Sequence, residues 1–316
     1  MNRREFISGT ALGISVLSTG VTNTLFAGPA KSRKMTMNLV CGAIGVSANQ
    51  VEAIELASRH GFESVEADAN YLTGLSDDEL TRLMASMKEK NLSFGASGLS
   101  VEFRQDELRF KDGMEKLPRL AAGLKRAGVD RMGTWLMPCD GKLTYLQNFR
   151  QHATRLKEVA VVLKDSGVRL GLEYVGPKTS WTSRRFSFIH TMPEMRELIA
   201  EIGTGNVGLV LDSWHWWHAS DTAADILALE AKDVVAVDLN DAPAGIPKDQ
   251  QSDGKREIPC ATGVINLGPF LSALNQIGYD GPVRVEPFNE AVRKMSKDDA
   301  CEAAIGSLKK AFELIT

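Results

Sequence analysis

Cysteine is scarce in this 316-residue chain: there are four, Cys41, Cys139, Cys260 and Cys301, far apart and in no CxxC pair. They form no zinc-like cluster, no disulfide can be inferred from that spacing, and isolated buried thiols are the better reading. Charge of one sign is also missing. With a formal net charge of −3 there is no basic excess to grip a nucleic acid or a membrane surface. Low-complexity segments and short-period repeats are absent, as are the G-x-x-x-x-G-K loop and the G-x-S-x-G elbow. The sequence does hold one G-x-G-x-x-G match, Gly203-Thr204-Gly205-Asn206-Val207-Gly208, but it lies between a helical and a strand-like segment. A dinucleotide site needs those glycines after a strand and opening a helix, so this match reads as a helix stop and a turn.

Long apolar runs are lacking too. The uncharged stretch Ser8 to Ala27 is interrupted by Gly, Ser and Thr, too weakly apolar for a membrane span. It follows Asn2-Arg3-Arg4-Glu5-Phe6-Ile7, and the whole resembles a twin-arginine export signal, which carries folded proteins across the bacterial inner membrane. Residues 1–36 are therefore expected to be signal and linker, and the mature protein to be periplasmic without a membrane span.

What remains has ordinary globular composition, 43% hydrophobic and 24% charged. From Met37 onward strand-like and helix-like segments alternate. The expected strands are 37–41, 63–67, 92–96, 131–136, 168–173, 207–212, 234–239 and 282–286. The expected helices are 49–60, 76–90, 107–127, 145–166, 192–202, 222–230, 267–277 and 298–314. Eight regular units without a linker predict an α/β fold, a single-domain (β/α)₈ TIM barrel over residues 37–316, rather than an open doubly wound sheet.

The last four strands share a feature. Leu170-Gly171-Leu172-Glu173 ends in Glu and Leu209-Val210-Leu211-Asp212 in Asp; Val235-Ala236-Val237-Asp238 carries Asp, and Val283-Arg284-Val285-Glu286 ends in Glu. In a parallel barrel the C-terminal strand ends open on one face, where active sites are built, so these four carboxylates converge. Clustered anions repel and resist desolvation. Protonation, basic partners or a divalent cation would relieve that strain, and an all-oxygen set suits Mn²⁺ or Mg²⁺. Taken alone, each acid could simply cap a helix or pair with a base.

Weaker candidates surround them. Arg256 and Lys178 lie in loops after strands seven and five and could bind hydroxyls; surface charge is the better reading for Lys178. Trp135, Trp181, Trp214 and Trp216 could wall a sugar pocket or pack in the core. Glu66 could line the mouth, and His190 and His218 are spare imidazoles near the same face.

The chain resembles the xylose-isomerase-like barrel superfamily of sugar isomerases and epimerases. Leu172-Glu173-Tyr174, Leu211-Asp212-Ser213-Trp214-His215, Asp238-Leu239-Asn240-Asp241-Ala242-Pro243 and Val285-Glu286-Pro287-Phe288 carry the resemblance, with Gly263-Val264-Ile265-Asn266 and Gly278-Tyr279-Asp280-Gly281-Pro282 adding to it. It implies one divalent cation held by two glutamates, an aspartate and usually a histidine, with Zn²⁺ or Co²⁺ as alternatives to Mn²⁺ or Mg²⁺. Glu173, Asp212 and Glu286 match three of these ligands, and Asp238 stands where the histidine usually is. His215 matches a residue that contacts substrate. The implied chemistry is proton removal and return beside a carbonyl by Glu173 and Glu286 on opposite sides of a small sugar or keto-sugar, through an enediolate. A lyase or dehydratase acting on a keto-sugar, keto-glycoside or keto-polyol would use the same site. A phosphodiester-cleaving endonuclease is disfavoured by the five histidines and the charge, and Asp238 keeps a non-catalytic sugar-binding barrel open. A homo-oligomer is compatible with everything above.

Overall fold

The computed structural model describes residues 33–316; the twin-arginine start lies outside them. The strands are β1 (Thr36–Leu39), β2 (Ser64–Val65), β3 (Ser93–Phe94), β4 (Ser97–Gly98), β5 (Arg131–Trp135), β6 (Cys139–Asp140), β7 (Arg169–Glu173), β8 (Phe186–Ser187), β9 (Val207–Asp212), β10 (Val234–Leu239) and β11 (Pro282–Val285). Nine of them form one sheet in the order β3-β2-β1-β11-β10-β9-β7-β5-β4, and every pairing in it is parallel.

The two ends of that order are two halves of one stretch of chain. β3 pairs with β2, and β4, three residues on, pairs with β5, so residues 93–98 close the sheet into an eight-staved barrel. Gly95 sits at the break, where a Cβ would run into the Asn38 side chain. Glycine leaves room there for the Asn38 side chain, which comes from β1. β6 and β8 form a separate antiparallel pair outside the barrel.

The connecting helices lie close to where the apolar spacing puts them: Gln50–His60, Asp77–Glu89, Glu107–Arg126, Tyr145–Asp165, Met192–Ile202, Leu267–Ile277 and Lys297–Phe312. Their starts are marked by capping boxes such as Asn49/Glu52, Ser76/Glu79 and Thr191/Glu194, in which side chains satisfy the free N–H groups of the first turn. Gly203 ends the Met192–Ile202 helix in a left-handed conformation (φ 65°), which settles the G-x-G-x-x-G segment as a helix stop. Short helices outside the expected set follow β2 (Ala69–Gly74), β7 (Lys178–Trp181) and β11 (Glu290–Arg293), and the connection after β9 differs as well. After β9 a helix starts at once, Ser213–Ala219, followed by a shorter one, Ala223–Leu227. The cluster of tryptophans hid it, because its apolar residues are nearly continuous and show no period.

Inside the barrel the strand alternation makes layers. Gly133, Val210 and Ala236 lie two residues below Trp135, Asp212 and Asp238 and line the same interior, and Gly171, two residues below Glu173, packs against Val210. The glycines make room for Val210: a Cβ on Gly171 would stand 2.8 Å from Val210 Cγ2 and 2.9 Å from Val235 Cβ. Gly171→Ala is expected to destabilise the fold by about 1–3 kcal/mol, the usual effect of overpacking a full core. A shift in the denaturation midpoint at constant m-value measures it; an unshifted midpoint would mean that this layer is loosely packed.

Candidate functional site

The register of the last strands sets the geometry. Asp212 on β9 is the direct partner of Asp238 on β10, and Asp238 is the partner of Arg284 on β11. Register partners in a parallel pair face the same side, so all three point into the barrel, and Glu286 joins them two residues after Arg284. Glu173, at the end of β7, completes the ring. One oxygen from each of Glu173, Asp212, Asp238 and Glu286 lies within 4.8 Å of the others.

Two guanidinium groups lie among these carboxylates. Arg256 is 2% exposed; its Nη1 donates to Asp212 Oδ2 at 2.7 Å and to Glu286 Oε2 at 3.3 Å, and its Nη2 to Asp253 Oδ1 at 2.8 Å. Arg284 grips Asp238 with two donors, Nε to Oδ1 at 2.5 Å and Nη2 to Oδ2 at 2.7 Å, and reaches Glu286 Oε1 at 3.0 Å. Basic partners, one of the ways to relieve repulsion among the acids, are therefore built in.

Asp212 plays two parts at once. Its Oδ1 accepts from Trp214 N at 2.7 Å, capping the Ser213–Ala219 helix, and from Asn240 Nδ2 at 2.9 Å. The helix cap and the cluster acid are one side chain. Asn240 is itself fixed by Ser213, whose Oγ accepts from Asn240 N at 2.8 Å. Next along, Asp241 is fully buried and accepts from the backbone N–H groups of Ala242, Thr262, Gly263 and Ile265, tying down the loop that delivers Arg256.

Glu173 is the exception. It is 7% exposed, and among the described residues nothing donates to its Oε1. Burial first, then the charges of Glu286, Asp238 and Asp212, hold its carboxyl well above the ordinary range. Burial also raises Glu286 and Glu66, and takes Asp212 up to about 7 against the opposing pull of Arg256. Burial tends to lower both arginines, but the carboxylates around them more than reverse it.

His215 sits beside Glu173 on the Ser213–Ala219 helix, with Nε2 3.7 Å from Glu173 Oε1 and 3.8 Å from Asp212 Oδ2. Burial pushes its pKa down to about 3, so the ring is neutral. Nδ1 lies 3.2 Å from Gly176 N and Nε2 lies 3.3 Å from Arg256 Nη2, so a donor meets each ring nitrogen and the neutral ring accepts from only one of them. Gly176 permits this approach, since a Cβ there would collide with the His215 carbonyl oxygen.

A cavity of about 700 Å³ opens over this group and is lined by Glu173, Glu286, Asp238, His215, Arg256 and Arg284, with Glu66 and Trp135 on its walls. Trp135 is 41% exposed, and its ring lies 4.7 Å from the Arg104 guanidinium. The other tryptophans stand elsewhere. Trp214 and Trp216 are core residues, and Trp181 stacks on His190. Neither His190 nor His218 reaches the carboxylates: their Nδ1 atoms meet the backbone carbonyls of Phe188 and Trp214.

Lys178, a weaker candidate for which surface charge is the better reading, does not line the cavity. It starts a short helix, its side chain is 51% exposed, and its Nζ lies 2.7 Å from Asp249. Exposed pairs of this kind contribute little. Lys178→Ala is expected to leave KM within about twofold, while Trp135→Ala raises it by roughly tenfold, the order of one lost aromatic wall. Steady-state kinetics on a turned-over sugar check both; a large effect at Lys178 would show that its loop folds inward.

The cluster fits a hard divalent cation in donor type and spacing, and the unpartnered, buried Glu173 Oε1 is an atom such an ion would satisfy. Glu173, Asp212 and His215 also bring three donor atoms within the same 4.8 Å. No cation-binding step is visible without cost, since three of the four carboxylates already accept from guanidinium groups.

Residues 54–311 match the family described as xylose isomerase-like TIM barrel, and the chain belongs to that family. It is 26% identical over 270 residues to an inosose isomerase of Halalkalibacterium halodurans, covering 82% of this chain and 89% of that one. It is 24% identical over 251 residues to a 3-dehydroshikimate dehydratase of Pseudomonas aeruginosa, covering 79% of this chain and 37% of the other. A xylose isomerase domain protein from Alicyclobacillus acidocaldarius superposes with a TM-score of 0.77 at 28% identity, covering 89% of this chain and 99% of its own. The IolI protein crystallised with a zinc atom superposes with a TM-score of 0.72 at 22% identity, covering 90% and 99%.

Proposed function

We propose that this chain is an isomerase or epimerase of a small sugar or keto-sugar, with Glu173 moving the proton beside the carbonyl. One observation carries the reading: a buried glutamate with an unpartnered oxygen and a raised pKa, lining a cavity of about 700 Å³. A carboxyl whose pKa is lifted towards the working pH can both take up and return a proton. The family and the inosose isomerase relatives support the reaction class.

The remaining residues have separate tasks. A carbon flanked by two oxygens at reacting distance holds them about 6–7 Å apart. The nearest oxygens of Glu173 and Glu286 lie within 4.8 Å, and Glu286 is held by both arginines. Glu173 is thus free to exchange the proton, and Glu286 does so after parting from a guanidinium. His215 and Arg256 line the cavity where they would meet substrate oxygens. Trp135 offers an apolar wall to the C–H face of the sugar. Glu173, Asp212 and Glu286, with Asp238 beside them, would hold a divalent cation, with Mn²⁺ or Mg²⁺ preferred on donor hardness and Zn²⁺ or Co²⁺ as alternatives. When bound, it supplies positive charge against the oxygens next to the proton being moved.

The dehydratase relative favours a second reading, loss of water from a keto-polyol through the same proton removal. Incubation of the protein with keto-sugars and inososes, followed by mass spectrometry and chromatography, separates the two. A new isomer of unchanged mass supports the first reading, and loss of one water the second. Absence of any product across the panel, with and without Mn²⁺, contradicts both. The twin-arginine start adds the proposal that the enzyme works in the periplasm after export.

A further inference from the structure

The four carboxylates are not equally available to a cation. Both oxygens of Asp238 are taken by Arg284, at 2.5 and 2.7 Å, in a paired, charge-assisted contact, and Asp238 is fully buried. Glu286 meets the same guanidinium, and Arg256, at the longer distances of 3.0 and 3.3 Å. Asp212 accepts from Arg256 at Oδ2 and from the neutral donors Trp214 N and Asn240 Nδ2 at Oδ1. Glu173 Oε1, on a residue 7% exposed and inside the cluster, has no donor among the described residues. A cation arriving here finds Glu173 Oε1 open, Glu286 held by two longer contacts, Asp212 meeting one guanidinium donor, and Asp238 gripped by two donors of one guanidinium. It also meets a fixed positive charge at the Asp238 end, and that end can be reached only by parting a two-donor ion pair.

We propose that Arg284 is a tethered rival of the divalent cation. It keeps Asp238 out of the ligand set, so that the ion is bound by Glu173, Asp212 and Glu286 alone and exchanges readily. Removing its charge turns Asp238 into a fourth ligand. The inference rests on the cluster being a cation site, as argued above, but not on which sugar is turned over. It explains why a carboxylate stands one strand beyond Asp212 with an arginine directly across from it on β11. The pair acts as a unit, setting how tightly the site holds its ion.

Calorimetric titration of the full chain with Mn²⁺ tests this without reference to turnover. R284M, which keeps bulk and loses charge, is expected to bind Mn²⁺ at least tenfold tighter than the wild type. R284K, which keeps the charge, stays below that gain. D238N in the presence of Arg284 weakens Mn²⁺ binding, because it leaves the Arg284 charge unpaired beside the site. R284M/D238N loses the gain, which assigns it to Asp238. The proposal is overturned if R284M gains less than tenfold, or if R284M/D238N keeps the gain. R284Q, also uncharged, is held to the same tenfold should R284M fail to fold. No Mn²⁺ binding by any variant also overturns it, whereas absence of product from every keto-sugar sinks the catalytic reading and leaves these affinities readable.

Discussion

Glu173→Gln is expected to lower kcat by about 10²–10⁴, the range spanned by a lost general acid–base group, while leaving the fold at least as stable as the wild type. The two halves of that prediction come from the same observation. Glu173 is buried beside three other acids, and burial together with their charge lifts its pKa. An acid whose folded-state pKa lies above its unfolded value stabilises the fold in its protonated form. That contribution is full below the unfolded pKa and is lost as pH rises through the folded one. Glutamine is neutral at every pH and keeps the shape, so the penalty disappears along with the proton transfer. Loss of kcat with an unchanged or raised Tm is therefore the signature. Equal losses of activity and Tm would place Glu173 among structural residues instead.

Arg256→Met is expected to have the largest effect on stability. Asp212 is fully buried and Arg256 is 2% exposed, and their contact at 2.7 Å is the main neutralising one for Asp212. Removing one partner of a buried pair strands the other charge, typically at about 3–5 kcal/mol. For a domain of this size that lowers Tm by roughly 6–20 °C. The sign with pH is fixed by the raised carboxylates. With Arg256 gone, Asp212, already about 7 in its presence, rises further, so the ionised form is the costly one. The deficit should shrink as pH is lowered from 8 towards 5, because protonation removes the stranded charge. Thermal melts of both proteins across that window, in chelator, measure it. A deficit independent of pH would mean that Arg256 acts by packing on Trp214 and Phe288, whose rings it also faces.

Much of this site was legible in the sequence because it depends on position along a strand. Glu173, Asp212, Asp238 and Glu286 each close an apolar run, and the barrel rule brings strand ends together. The helices were legible for a similar reason, since caps and apolar spacing are local. What was hidden depends on register between strands. Arg284 stands in plain view in Val283-Arg284-Val285-Glu286, and the two-residue period already put it on the same face as Glu286. That it faces Asp238 follows only from the pairing of β10 with β11. Arg256 and Asp253 come from a long loop whose path is fixed by Asp241, so their arrival at Asp212 could not be read locally. The Ser213–Ala219 helix was masked by its own tryptophans, and Lys178 was placed by loop position alone, which does not say where a side chain points.

Central to the account is that Glu173 exchanges a carbon-bound proton of a keto-sugar. Incubation with a keto-sugar in D₂O, followed by NMR, tests this directly. The expected result is deuterium at the carbon beside the carbonyl with the wild type, and incorporation slowed by at least 100-fold, in line with a lost acid–base group, with Glu173→Gln. Incorporation at the same rate in both proteins, or a product formed by the wild type with no deuterium at that carbon, would contradict it.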